Sequence, residues 1–401
     1  MPFKPDTLAL TALLALLTAL GPLATDMYLA ALPLITGELA SNVPQAQLTL
    51  SLFLAGFAAG QLIYGPISDR LGRRIVLLSS LAAVFIAVTG CMLAPNMEML
   101  IAGRLLHGAA TAGPIVLARS IVRDLYSGAR AGQELSRMGS IMGLMPAIAP
   151  FLGALILEAA GWRPIFAAQM RLAGATIALV ALALPETIGA RRRTDPLRLS
   201  TFPRAYGGLM ASGRYRVNVA SACVIYAGLF AFISTATFVL QQAYGLSPTA
   251  FGVSFSLISV AYVAGTMIGT RLVARIGIQR TMFWGALLLA AGGGLMLGLA
   301  VYGGVRAWEV VVPMMLYMVG VGLAFPQAIA AAMMPYPDRA GAASSLLGFC
   351  QMTSGAVTGV IVANAYDGSG LPLALAVAIM GFAALALNLW ERLAYAPAPG
   401  E

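Results

Sequence analysis

Twelve runs of about 20 apolar residues follow one another along this chain, beginning near residues 7, 46, 74, 97, 132, 164, 216, 248, 280, 308, 340 and 370. That is the length of helix needed to cross a hydrocarbon core of roughly 30 Å. The bilayer interior offers no hydrogen-bond partners, so a spanning segment of this length must bond its own backbone as a helix. The sequence therefore predicts an all-α membrane protein with twelve transmembrane helices. Composition points the same way: 60% of residues are hydrophobic and 10% charged, against about a quarter charged in soluble domains. A soluble chain of 401 residues would need roughly 100 charged side chains where this one has 39. The net charge of +9 comes from 23 Arg and one Lys scattered over short loops, with no aromatic-interleaved basic patch, so no nucleic-acid partner is expected. Cys91, Cys223 and Cys350 stand far apart within apolar runs and indicate neither a disulfide framework nor a metal site.

The run from Leu8 to Ile35 exceeds the roughly 7 to 15 residues of a signal-peptide core and contains Asp26 and Pro33, so it is expected to remain as span 1. The one longer loop, Glu186 to Arg214, is rich in Arg, Pro and Ser. It divides the chain into an amino-terminal six-helix bundle (1–185), a cytoplasmic central loop (186–214) and a carboxy-terminal six-helix bundle (215–401). With both termini in the cytoplasm, 20 of the 24 basic residues fall on the inner side and only Arg163 and Arg306 in outer loops, the asymmetry that orients a membrane protein. An internal repeat links the halves. Gly60, Arg70 and Gly72 of GQLIYGPISDRLGRR meet Gly265, Arg275 and Gly277 after a shift of 205 residues, while Asp69 meets Ala274. Parallel repeats of this kind build transporters with a substrate site at the repeat interface.

Charges inside spans are the most informative residues, because an unpaired one costs at least about 2.5 to 3.5 kcal/mol. Asp26 lies nine residues before Ile35 and Arg104 seven residues after Met97, or roughly 13 and 10 Å deep. Their matched depth predicts an Asp26–Arg104 pair, either as a site that loads and releases a proton or as a static lock between spans 1 and 4. Arg171 reads as a side chain snorkelling to the headgroups. His107, the only histidine, lies one turn from Arg104, as packing, cavity-lining or proton-transfer group. No companion Cys or His indicates a metal.

Gly65, Asp69, Arg70, Gly72 and Arg73 place one acid among arginines in a tight glycine-flanked connection, as suits a cytoplasmic gate. In span 5, Gly143, Pro146, Pro150 and Gly153 combine lost backbone donors with small contact residues, as suits a hinge or a sealed seam. Tyr226, Phe230 and Met318, with His107, are candidates for a pliable wall accepting varied apolar ligands.

GPISDRLGRR resembles the signature loop between spans 2 and 3 of the major facilitator superfamily. TDMYLAALP from Thr25 and RLLHG from Arg104 resemble the span 1 and span 4 motifs of drug:proton antiporters. VRDLY, APFLGALI, GWRPIF and LPET are similar to the Bcr/CflA efflux branch, and the resemblance covers nearly the whole chain. It implies the major facilitator fold, with a monomer in the bacterial inner membrane exporting drugs or other small amphipathic compounds by alternating access. The proton gradient would supply the energy, with no cofactor. By position, Asp26 would be the proton-linked acid, Arg104 its charged partner, and Asp69, Arg70 and Arg73 the gate. The span 5 antiporter motif stands here as Ala149-Pro150 and Gly153-Ala154, His107 replaces a common Gln, and Thr18 occupies a position that is acidic in some relatives. Export of one metabolite, such as an amino acid, is the alternative. An enzyme is not expected: no nucleophile-base pair or metal constellation is present, nor a GxxxxGKS loop.

Overall fold

The computed structural model describes residues 7–126, 128–189, 207–304, 306–336 and 340–394. Span 1 is Leu8–Glu38, span 2 Val43–Leu71, span 3 Arg73–Met92, span 4 Met97–Leu125, span 5 Gly128–Ala160 and span 6 Arg163–Ala183. Span 7 is Gly213–Ala243, span 8 Pro248–Ile276, span 9 Ile278–Tyr302, span 10 Trp308–Met333, span 11 Ala340–Ala365 and span 12 Leu371–Ala394. Eleven of these, among the described residues, are long and apolar enough to cross a membrane; span 5 has a shorter apolar stretch, Leu144–Ala160, within its 33 residues. The starts are written in cap residues: Thr7, Asn42, Asn96, Ser212 and Ser247 each accept a backbone N–H from the first turn. At Asn42 the bond is reciprocal, Gln45 returning its side chain to the Asn42 N–H.

The chain divides into two compact units, Met1–Leu197 and Arg198–Glu401. In the first, span 4 packs against spans 2 and 3, span 3 against span 6, and span 1 against span 5. Leu10, Leu14, Leu17, Leu81, Leu117 and Ile121 are buried together there. In the second, span 9 packs against spans 10 and 12, span 8 against span 10, and span 7 against spans 11 and 12. Residues such as Ile86, Leu182 and Leu393 remain exposed, an apolar exterior that fits lipid as solvent.

The repeat read from the sequence has a physical counterpart in each unit. A Cβ on Gly60 would stand 2.5 Å from the Ala109 carbonyl oxygen, and one on Gly265 would stand 2.5 Å from that of Val319, so both glycines let neighbouring helices meet backbone to backbone. Gly72 and Gly277 turn the chain between helices at φ +108° and +80°, a region favourable only to glycine.

Span 5 runs as one helix through Pro146 and Pro150. Pro150 is buried and Pro146 half-buried, whereas the surroundings of Gly143 lie outside the described residues. Gly153 is where the seam closes: a Cβ there would collide with the Met27 carbonyl of span 1. Replacing Gly153 by Ala should lower the stability of the detergent-solubilised protein by about 1–3 kcal/mol, the usual scale of overpacking. Gly90→Ala, where a Cβ meets nothing within 4 Å, should leave thermal unfolding unchanged or slightly raised. Equal melting of the two variants would count against a close-packed span 1–span 5 seam.

Candidate functional site

Span 1 is not one helix. Its α-helix ends at Asp26, a turn follows at Met27 and Tyr28, Leu29–Ala31 form a 3-10 turn, and a second helix runs Leu32–Glu38 with Pro33 in its first turn. Pro33 has no N–H to continue the earlier hydrogen-bond ladder but is tolerated at a helix start. The break leaves the last carbonyls of the first helix without intrahelical donors.

Two side chains from other spans supply them. Arg104 Nη1 donates to the Ala24 carbonyl at 2.9 Å, and Gln169 Nε2 of span 6 donates to Leu23 at 3.0 Å. Arg104 therefore caps a helix C-terminus, where the dipole favours positive charge. Its guanidinium carbon lies 4.5 Å from the Tyr28 ring centroid and 4.3 Å from that of Phe53. Tyr28 is itself fixed by a hydrogen bond to the Thr49 hydroxyl. Phe53 meets the His107 ring edge-on at 5.3 Å. Arg104 Nη1 also lies 3.1 Å from His107 Nδ1. Because a guanidinium only donates, Nδ1 is the acceptor and the neutral ring carries its proton on Nε2.

The expected Asp26–Arg104 ion pair is not formed. Among the described residues Asp26 has Thr25 as its partner, the hydroxyl donating to Oδ1 at 2.7 Å, while Arg104 faces carbonyl oxygen and aromatic rings. The magnitudes explain the choice. Two desolvated cation–π contacts at about 2 kcal/mol each, with a charged hydrogen bond of about 1.5–3, match or exceed an insertion cost of about 2.5–3.5 kcal/mol for an arginine. Arg104 needs no carboxylate, so Asp26 stays buried at the break without a basic partner, and the depth match seen in the sequence was not evidence of pairing. Arg104 keeps Nε and Nη2 buried and without an acceptor.

At the other end of the same unit, Arg73 organises the signature loop. Its Nη1 lies 2.6 Å from Asp69 Oδ1 and 2.6 Å from Ser68 Oγ, and its Nε lies 2.9 Å from Asp124 Oδ2 at the end of span 4. Gly72 is buried at the turn, Gly65 accepts the Ser68 hydroxyl at 2.9 Å, and Arg70 is half-buried. Asp124 and Glu186 were legible only as parts of the VRDLY and LPET resemblances. Glu186 holds the start of span 3: Oε1 accepts the Arg73 N–H at 2.9 Å and Oε2 the Arg74 N–H at 3.2 Å, and a Cβ on Gly72 would stand 2.5 Å from Oε2. The second unit keeps a related contact, with side-chain amides in place of the backbone N–H donors. Shifted by 205, Arg74 becomes Gln279 and Glu186 becomes Glu391, and Gln279 Nε2 donates to Glu391 Oε1 at 2.8 Å, with Asn218 Nδ2 at 2.9 Å.

The predicted cavity residues fall in different units, His107 in the first and Tyr226, Phe230 and Met318 in the second. Tyr226 stacks on Phe230 and on Phe325, each at 6.2 Å between centroids, and its hydroxyl reaches Met352 Sδ at 3.5 Å. Met318 and Phe230 are buried. The arginines of the central loop at 191–193, 198 and 204, with Lys4 and Arg339, lie outside the described residues.

A family model for the Major Facilitator Superfamily matches residues 14–360. The chain belongs to the major facilitator superfamily. It is 32% identical over 363 residues to the MFS-type transporter YdgK of Bacillus subtilis strain 168, covering 90% of each chain. Identity is 29% over 362 residues to a bicyclomycin resistance protein homolog of Haemophilus influenzae, again covering 90% of each, and 28% over 386 residues to multidrug resistance protein D of Escherichia coli K12, covering 95% of each. The first of these two matches the branch to which the sequence motifs pointed. The fold is that of the xylose transporter XylE of E. coli, with a TM-score of 0.74 at 14% identity over 98% of each chain. This superfamily member is a multi-pass membrane transporter, and its relatives are transporters rather than enzymes.

In this member the Glu186 clasp carries a pH signature. Partial burial works to raise its pKa, but backbone N–H donors from Arg73, Ile188, Arg74 and Thr187 outweigh that and hold the carboxyl below its ordinary value. A depressed folded pKa gives stability that is full above the unfolded value of about 4.3 and fades as pH falls through the folded one. The melting temperature of Glu186→Gln should therefore lie below wild type at pH 7, and the gap should narrow below about pH 4. A gap independent of pH would show that the carboxylate charge is not what holds span 3.

Proposed function

We propose that this protein is a proton-coupled efflux transporter, an antiporter exchanging internal drugs or other small amphipathic compounds for external protons by alternating access. The observation that carries the reading is Asp26, a buried carboxylate at the break of span 1 with Thr25 as its side-chain partner and no ion-pairing base among the described residues. A carboxylate that is 5% exposed and unpaired is costly when ionised in a bilayer. Its protonation then depends on which face admits water and substrate, which is what coupling requires. Arg104 holds the broken helix end through the Ala24 carbonyl, and His107 orients Arg104.

The relatives named for bicyclomycin and multidrug resistance favour export of drug-like compounds. The Tyr226, Phe230 and Phe325 stack with Met352 is a surface of the adaptable kind that broad apolar ligands need. The Arg73 cluster, joining the inner ends of spans 2, 3, 4 and 6, is the part of the cytoplasmic gate contributed by the first unit. In this reading the protein works as a monomer in the bacterial inner membrane with both termini in the cytoplasm.

A drug panel in an efflux-deficient strain identifies a substrate, and proteoliposomes under an imposed pH gradient then test the coupling. Wild type should accumulate the substrate against its gradient while moving protons. Asp26→Asn, locked in a mimic of the protonated form, should lose uphill transport yet retain exchange of substrate down its gradient. Uphill accumulation by Asp26→Asn at the wild-type rate would overturn the assignment.

A further inference from the structure

On the membrane face of the first unit, an open groove of about 650 Å³ runs beside the start of span 6, where Arg163 and Arg171 both line it. Ala167 and Ala168, between them in sequence, supply only methyl groups, and Leu93 of the span 3 end and Ile156 of span 5 complete an apolar lining. The lining residues include no acid.

The two arginines differ. Arg163 is held in place, with Nη1 3.3 Å from Glu38 Oε2, Nη2 donating to the Ala94 carbonyl at 3.4 Å, and its guanidinium 4.2 Å from the Trp162 ring centroid. Arg171 is exposed and has no hydrogen bond, ion pair or ring contact among the described residues, although it stands eight residues into an apolar helix. At 1.5 Å per residue that is roughly 12 Å below Arg163. A guanidinium at such depth needs an anion or water. Helical side chains lean toward the helix N-terminus, so Arg171 leans toward Arg163 and the headgroup level. Counting Glu38 against Arg163, one positive charge remains over an apolar trough.

We propose that the groove is a binding site for an anionic phospholipid, its phosphodiester held by Arg171 together with Arg163 and an acyl chain laid along Leu93, Ile156 and the two alanines. One net positive charge complements a single phosphodiester, and the absence of an acid from the lining gives the ammonium of a zwitterionic lipid no partner. The inference concerns the lipid-facing exterior and stands whether or not transport is coupled to protons.

Native mass spectrometry of the delipidated full-length protein tests it, with dioleoyl-phosphatidylglycerol, dioleoyl-phosphatidylethanolamine and inorganic phosphate as probes. Wild type should retain phosphatidylglycerol in preference to phosphatidylethanolamine. Arg171→Gln should weaken that retention about fivefold, the effect of one basic residue on an anionic lipid. Ala168→Leu should weaken it by filling the trough with both charges intact, and it keeps the test open should Arg171→Gln fail to fold. Inorganic phosphate at equal concentration should not displace the lipid. Equal retention of the two lipids, wild-type retention by a folded variant of either kind, or displacement by inorganic phosphate would overturn the proposal.

Discussion

A break in a transmembrane helix exposes backbone carbonyls that the bilayer cannot hydrogen-bond, and the interior of the first unit is arranged around meeting that demand in span 1. Arg104 and Gln169 reach from spans 4 and 6 to Ala24 and Leu23, and the guanidinium then requires the aromatic faces of Tyr28 and Phe53 to offset its own burial. Tyr28 in turn is tied to Thr49 of span 2, and Met27 lies against Gly153 of span 5. One interrupted hydrogen-bond ladder thus recruits contacts from spans 2, 4, 5 and 6. The same interruption places Asp26 at the end of the first helix, where Thr25 is its side-chain partner.

Lipid gives helices little hydrophobic reason to associate with each other, so close backbone approach and buried polar contacts hold the units together. Gly60 of span 2 against span 4 and Gly265 of span 8 against span 10 do the same work in the two units, a consequence of duplication that survives although few other residues match. Polar contacts have diverged more. Arg73 gathers Asp69, Ser68 and Asp124 in the first unit, whereas Ala274 removes the acid from the second. There the Glu391 carboxylate takes the side-chain amides of Gln279 and Asn218. Paired arginine and carboxylates in one unit and a carboxylate held by amides in the other make the two units unequal devices built on one plan.

Much of this was open to the sequence. The number and positions of the spans follow from apolar runs and caps, because length and hydropathy dominate in a solvent without hydrogen-bond partners. The duplication could be read from Gly60, Gly72, Gly265 and Gly277, since positive φ and backbone contact leave glycine no substitute. The Arg73–Asp69 contact was foreshadowed by spacing, being four residues apart across a turn. Asp26 stood out because an unpaired charge inside a span is costly.

The partners of these residues were decided only in three dimensions. Depth along two helices says nothing about which faces meet, and Arg104 turned out to serve carbonyls and rings rather than Asp26. Gln169, Glu186 and Asp124 carried no periodic or spacing signal, because each acts on a backbone or side chain more than 50 residues away, brought close by helix packing. Sequence alone determined which groups are too costly to bury without compensation; tertiary structure decided what compensates them, since hydrogen bonds and cation–π contacts depend on distances that only the packed helices set.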